Sequence, residues 1–393
     1  MNDFTYTAPP TKMIFGESKQ NEFISEIKQA GGKVLLVMGG SSFQKNGYYN
    51  ELIKAFDEQK IKYVDFKGVT APLLSKVREG AALCRTEKIG CVIGIGGGTC
   101  MDMAKAIAFA ALQEEDVLDF LTWKLSSEGR PCLPIGEIVT YPSSGSEMDG
   151  SAQIDDDETH AHMGLSGIYP TFAWLNPRYV ASVPKEILVY GTMTSVAQIS
   201  TGYLSMESSD MAESVSAAMI KSLLGNLESC VEQTNQQEAR KNLMLASALN
   251  STGIFGFGKG YDWTLIPLEG LMQTYYGIGY SKAITIMFPY WLKHIYRDHP
   301  VFTSYFEKVF GLSRKGKTAE EFLKEGLDAI FGIYRKLGIA VCYNKLVQKP
   351  LDLNRLRELI REYGEMPSQY MEFTPEKIEE ILLEAIEGLP DFR

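Results

Sequence analysis

Cys91 to Lys105 reads CVIGIGGGTCMDMAK, and the fold turns on it. Its first five residues hold Val92, Ile93 and Ile95 and no charge, which is the texture of a strand buried on both faces. Gly96, Gly97 and Gly98 then break the strand. Thr99 is placed to cap a helix, and Met101, Met103, Ala104, Ala106, Ile107 and Ala108 continue it with good helix formers. Strand, glycine turn and helix N-terminus in that order aim unpaired backbone N–H groups outward at the positive end of a helix dipole. No side chain stands in the way of an anion there, so a pyrophosphate fits. The spacing is not G-x-G-x-x-G, so the glycines alone leave a second reading open, a tight strand-to-helix connection with no ligand.

Outward from this stretch, the N-terminal half alternates strands with helices. Lys33–Met38 reads as a strand ending in Gly39, Gly40, Ser41 and Ser42, and the pattern of 48–59 is helical. A short strand over 62–66 and a helix over 74–86 come next, then the central strand over 91–95. This βαβα rhythm predicts an α/β domain with a doubly wound parallel sheet. A further strand over 134–141 leads into Pro142, Ser143, Ser144, Gly145, Ser146 and Glu147, where small hydroxyl residues around a glycine make either a second anion-friendly loop or a plain turn. After Pro184 long helical patterns take over, at 187–206, 211–232 and 236–250, then a Gly- and aromatic-rich stretch to Gly279 and more helices to Leu389. The expected division is an α/β domain over 1–185 and an all-helical domain over 186–393.

Composition narrows the function classes. A chain of 393 residues with 45% hydrophobic and 22% charged residues has the make-up of a globular protein with room for two domains. A net charge of -10 argues against nucleic acid as a partner. No apolar run approaches a membrane span, and the start MNDFTYTAPP is not signal-like, so a cytoplasmic location with no membrane partner is expected. The six cysteines form no C-x-x-C pair and read as buried thiols. Cys100, beside the glycine turn, has two readings: a low-pKa thiol at a helix start, or simple packing.

Several motifs in fixed order carry a family resemblance. GIGGGTCMDMAK (94–105) is similar to the GGGSxxDxAK loop of iron-containing alcohol dehydrogenases, and YPSSGSEMDGSAQI (141–154) resembles their P-x-T-G-S-E segment. LNPRYVASVPKE (175–186), ARKNLMLASALNSTG (239–253) and YDWTLIPLEGLMQTYYGIGYSKAITIMFP (261–289) resemble later family segments, the last without a gap. The resemblance runs over nearly the whole chain, leans to the butanol dehydrogenase branch, and implies a nucleotide domain and then a helical metal domain. It also implies a homodimer formed by the nucleotide domains.

On that resemblance the pyrophosphate falls to Gly97 and Gly98, with Thr99 at the start of the helix. The nicotinamide ribose falls near Asp102, with further contacts at Thr140, Ser143 and Ser146. Where NAD-preferring members carry an acid after the first strand, this chain has Gly40, Ser41 and Ser42. Loss of that acid removes repulsion of a 2′-phosphate, and small hydroxyls can donate to it, so NADP (NADPH) is expected over NAD. Ala71 departs from the family's usual Asn on the adenine side.

The metal half departs more sharply. The family holds one divalent iron or zinc through an Asp and three His; the matching positions here are Thr194, Gln198, Ile266 and Tyr280, and Gly270 stands where a nearby active-site His is usual. A hydroxyl, an amide, an alkyl group and a phenol cannot hold a divalent ion at ordinary affinity, so no iron or zinc is expected. The whole chain has four histidines. His160 and His162 read as a solvated hairpin, His294 and His299 as surface or interdomain residues.

Two functions remain. One is a metal-independent NADP oxidoreductase acting on a small alcohol, aldehyde or other carbonyl compound, with Tyr280 as proton donor and Gln198 and Thr194 as hydrogen-bond partners of the substrate. The plainer reading of Tyr280 is a phenol filling vacated space. Tyr141, Trp263, Tyr275, Tyr276 and Tyr280 gather in segments expected to line the substrate cleft, which suits a small, partly apolar substrate. The other function is a non-catalytic nucleotide-binding homologue acting as a sensory or partner subunit. A non-redox elimination on a related fold is disfavoured, because it too needs the metal.

Overall fold

Strands that read as unbroken apolar runs have to be covered on both faces, and here they are. The computed structural model describes residues 1–159 and 161–392, and its chain divides into two compact units. The first comprises Thr7–Leu188 together with Asn235–Thr252. Its strands are β1 (Lys12–Phe15), β2 (Lys33–Met38), β3 (Tyr63–Phe66), β4 (Ile89–Gly96), β5 (Ile135–Val139), β6 (Ala152–Asp155), β7 (His162–Leu165) and β8 (Phe172–Leu175). Six of them form one sheet in the order β1-β8-β5-β4-β2-β3, and every pairing in it is parallel. β6 and β7 form a separate antiparallel hairpin.

The helices of this unit are α1 (Gln20–Ala30), α2 (Ser42–Lys45), α3 (Tyr48–Glu58), α4 (Leu74–Glu87), α5 (Gly98–Ala110) and α6 (Val117–Leu121). Alternate strand residues feed opposite cores. Val34, Leu36, Cys91, Ile93 and Ile95 pack with Phe23 and Ile27 of α1 and Leu52 and Phe56 of α3. Leu35, Val37 and Val92 pack with Val77 and Ala81 of α4 and Met103, Ala104 and Ile107 of α5. From β2 the chain moves outward to β3 and then returns to β4 on the other side of β2. The C-terminal ends of β2 and β4 therefore flank the switch point at which open parallel sheets bind ligands.

The second unit comprises Met1–Tyr6, Val189–Thr234 and Gly253–Arg393, its last residue lying outside the described ones. α7 (Lys185–Tyr203) and α8 (Asp210–Val231) supply its first helices, whereas α9 (Gln236–Asn250) belongs to the sheet unit. That placement differs from the expected division at 185/186 in giving Asn235–Thr252 to the sheet unit. Ser247 Oγ donates to the Ser143 carbonyl at 2.6 Å and Asn250 Nδ2 to the Ser144 carbonyl at 3.0 Å, which ties α9 to the hydroxyl loop after β5. α10 (Leu265–Tyr276), α11 (Tyr280–Ile295), α12 (Pro300–Phe310), α13 (Ala319–Leu337), α14 (Tyr343–Leu346), α15 (Leu353–Tyr363) and α16 (Pro375–Glu387) complete the helical unit. α11 is its core element: Ile284, Ile286, Tyr290, Trp291 and Leu292 are fully buried, and Trp291 Nε1 donates to Thr264 Oγ1 at 2.9 Å. No helix among the described residues is long and apolar enough to cross a membrane.

Candidate functional site

β4 ends at Gly96, and α5 begins two residues later, as the glycine turn requires. The cap differs from the sequence expectation. Gly97 is the N-cap, and its carbonyl accepts from Cys100 N at 3.0 Å and Met101 N at 3.2 Å, so Thr99 lies inside the first turn. Around this turn the ends of β2, β4 and β5 enclose a cavity of about 370 Å³. Of the residues expected at a dinucleotide, Gly40, Ser42, Gly97, Thr99 and Thr140 line it. Thr70 and Ser182 add hydroxyls, and Phe43, Val69 and Ile187 add apolar wall. No carboxylate is among the described lining residues. A Cβ built on Gly40 meets nothing within 4 Å, so space is open beside the end of β2.

The other expected cofactor residues lie elsewhere. Ser41 precedes α2, and its carbonyl accepts from Lys45 N at 2.8 Å. Gly98 faces the Ser144 hydroxyl, 3.4 Å from the position of an added Cβ. Ser143 is buried. Asp102 and Ser146 hold one another: Ser146 Oγ donates to Asp102 Oδ1 at 2.6 Å and accepts from Lys105 Nζ at 2.7 Å. Lys105 also donates to Asp149 Oδ1 at 3.0 Å and to the Ser151 carbonyl at 2.6 Å, while Asp102 Oδ2 accepts from Gln153 N at 3.1 Å.

This is a buried charge cluster that the sequence reading missed. The signal was a single Lys in the apolar helix MDMAKAIAFA. Burial pulls the Lys105 pKa down, but the Asp149 and Asp102 carboxylates outweigh it and hold the ammonium above its usual value. Burial raises Asp102 to about 6 against the pull of Lys105 and Ser146, and raises Glu147 to about 7. Glu137, in β5, is fully buried, and neither carboxyl oxygen has a hydrogen-bond partner among the described residues. It pairs in register with Gly94, where an added Cβ would collide with its carboxyl. Burial pushes the Glu137 pKa well above the usual carboxylate range.

Cys100 is the packing thiol of its two readings. It is buried beneath Gly39 and Gly96, and burial pushes its pKa up to about 12. Among the described residues no cysteine is in a disulfide; Cys132 and Cys230 are half-buried and the rest buried.

In the helical unit, Gln198 and Tyr280 are brought together: Gln198 Nε2 donates to Tyr280 Oη at 3.0 Å. Thr194 is buried on α7, and its hydroxyl donates to the Tyr190 carbonyl at 3.0 Å, one turn back in the same helix. Ile266 is half-buried in the first turn of α10. A hydroxyl given to its own helix, an amide joined to a phenol and an alkyl chain form a donor set that does not fit a divalent cation. Of the other expected aromatic residues, Trp263 is 54% exposed and stacks on Tyr261 at 4.7 Å, and Tyr275 Oη takes the Asp352 N–H at 2.6 Å.

The histidines also differ from expectation. His160 lies outside the described residues. His162 Nδ1 faces Asp155 Oδ1 across the hairpin at 2.5 Å. His294 is buried rather than superficial, with Nε2 2.8 Å from Glu384 Oε2, and His299 caps α12. His294, Glu380 and Glu384 place three potential ligand atoms within 4.8 Å of one another. Lys293 Nζ already sits on both Glu384 oxygens, at 2.6 and 2.8 Å, and the two ring nitrogens of His294 face different carboxylates, so the group is an ion-pair cluster.

Residues 10–177 match the family described as iron-containing alcohol dehydrogenase, and residues 189–386 match the C-terminal part of the Fe-containing alcohol dehydrogenase family. Among curated proteins, the chain is 32% identical to NADH-dependent butanol dehydrogenase A of Clostridium acetobutylicum, covering 86% of this chain and 88% of that one. It is 22% identical to an NADPH-dependent aldehyde reductase of Escherichia coli, over 86% of this chain and 88% of the relative. Among solved structures, an NADH-dependent butanol dehydrogenase A from Thermotoga maritima superposes with a TM-score of 0.91 at 30% identity, covering 98% of this chain and 99% of the other.

Proposed function

We propose a hydride-transfer function for this chain, which belongs to the iron-containing alcohol dehydrogenase family. The reaction is the interconversion of a small alcohol and its aldehyde or ketone with NADP(H), without a divalent ion at the family's metal position. The observation that carries this reading is the hydrogen bond from Gln198 to Tyr280, which joins two of the four positions where the family resemblance puts metal ligands.

When bound, the reduced dinucleotide supplies the hydride. Its phosphates suit the first turn of α5, and the open space at Gly40 with the Ser42 hydroxyl and no neighbouring carboxylate suits a 2′-phosphate better than an acid would. The named relatives divide on this point, the butanol dehydrogenases using NADH and the aldehyde reductase NADPH. Tyr280 donates the proton that a carbonyl oxygen takes up as its carbon is reduced. A phenol oxygen that accepts an amide N–H retains its own O–H for donation, and the amide steadies the negative charge left behind. Thr194 has its hydroxyl engaged within α7, so it supports the shape of the site and leaves the substrate contact to Gln198 and Tyr280. A homodimer through the sheet unit accompanies this reading.

The second reading, a nucleotide-binding homologue without turnover, is favoured by the same four substitutions, because the family's Lewis acid goes with them. Elemental analysis of the purified protein, an NADPH titration on the same sample, and NADPH oxidation with butanal and related aldehydes separate the readings. The expected result is NADPH binding and turnover with no stoichiometric metal. Stoichiometric iron or zinc overturns the metal-free mechanism, and tight NADPH binding with no turnover on any aldehyde moves the assignment to the second reading.

A further inference from the structure

The bare face that a glycine turn offers to an anion is not bare at Gly97. A Cβ added there would overlap Cζ and Oη of Tyr141, so the end of that phenol lies directly against the Gly97 backbone. The chain brings it there by continuing the sheet ladder one bond beyond β5: Thr140 N donates to the Gly96 carbonyl at 3.0 Å, which sets the next residue alongside Gly97. Gly97 is thus glycine because a neighbouring side chain needs the room.

We propose that Tyr141 is a binding residue for the dinucleotide, a hydroxyl donor to its phosphates at the glycine turn. The inference rests on the nucleotide-binding reading above and adds a residue to it. Tyr141 lines the cavity together with Gly97, Thr99 and Thr140, and its oxygen has no hydrogen-bond partner among the described residues. The first-turn N–H groups of α5 at Gly98 and Thr99 have no partner within the helix, so the phenol oxygen stands beside the amides that suit an anion. Burial pushes the phenol up to about 12, which keeps the O–H in place across the pH range of ordinary enzymes. A neutral O–H against a phosphate oxygen makes a charge-assisted hydrogen bond, and the ring narrows the approach at Gly97.

The test compares Tyr141→Phe and Tyr141→Leu with wild type in fluorescence titrations with NADPH and with NADH. The Phe variant keeps the ring and hence the packing on Gly97. It should raise Kd about tenfold or more, by the same factor for both cofactors, since both carry the pyrophosphate. An unchanged Kd in the Phe variant overturns the donor role. Tighter binding by the Leu variant overturns it as well, by making the ring an obstruction. Wild type that binds neither cofactor overturns the nucleotide reading and the inference together, whereas wild-type binding with an indifferent Phe variant overturns the inference alone.

Discussion

The turn after β4 and the pair on α7 and α11 serve the same expected chemistry and are built from different materials. The turn is backbone: Gly97 caps α5, amides point outward, and hydroxyls stand around them, with the charges of Lys105, Asp102 and Asp149 sunk in a separate buried cluster. The pair is side chain: Gln198 and Tyr280 hold each other, and Thr194 bonds to its own helix. A site made of backbone needs a glycine and a helix start, and it tolerates drift around it. A site made of side chains lasts only as long as its residues.

Removing the ammonium at the centre of the charge cluster should do the most damage. Lys105→Met leaves the Asp102 and Asp149 carboxylates without their cation and should cost about 3–5 kcal/mol in urea unfolding. The loss narrows as pH falls toward about 6, because without the ammonium Asp102 takes up its proton above its wild-type value. A loss below 1 kcal/mol at pH 8 would show that the cluster is hydrated and unimportant to the turn. On the helical side, Tyr280→Phe should lower kcat about a hundredfold while leaving NADPH affinity and the melting temperature alone. Full turnover in that variant would reduce the pair to filler.

Gly40→Asp sharpens the comparison at the backbone site. The added side chain meets nothing within 4 Å, so the fold is kept, and the new charge should shift preference toward NADH by about tenfold in the ratio of Kd values. An unchanged ratio would remove the 2′-phosphate from the end of β2. The smallest effect is expected from Glu137→Gln. Because the folded carboxyl titrates well above its usual value, wild type loses stability as pH rises from the unfolded carboxyl range toward the folded pKa. The variant lacks that loss, so it should match wild type near pH 4 and exceed it by about 1 kcal/mol at pH 8. Equal melting curves at both pH values would mean that water reaches Glu137.

The parts legible in the sequence were those that local chemistry decides. KVLLVM is β2 at the bounds read from its apolar run, QQEARKNLMLASALN is α9, and the glycine turn opens α5. β1 and β8 escaped notice because KMIF and FAWL are four residues each, and their pairing joins Lys12 to Phe172, far apart in the chain. Cys100 sat at a helix start, where a thiol is often acidified, yet the packing of Gly39 and Gly96 over it decides the opposite. Glu137 is one acid in the strand IGEIV, and only the register with Gly94 shows where its carboxyl goes. The place of Tyr141 against Gly97 likewise depends on a bond between two strand ends, which no spacing in the sequence expresses.

The chain passes from one compact unit to the other four times, at 6/7, 188/189, 234/235 and 252/253. No single cut in the polypeptide therefore yields either unit whole. A fragment ending at Leu188 would lack α9, and with it the bonds from Ser247 and Asn250 that hold the loop of Ser143 and Ser144. Such interlacing bars exchange of the nucleotide half by simple recombination of gene segments.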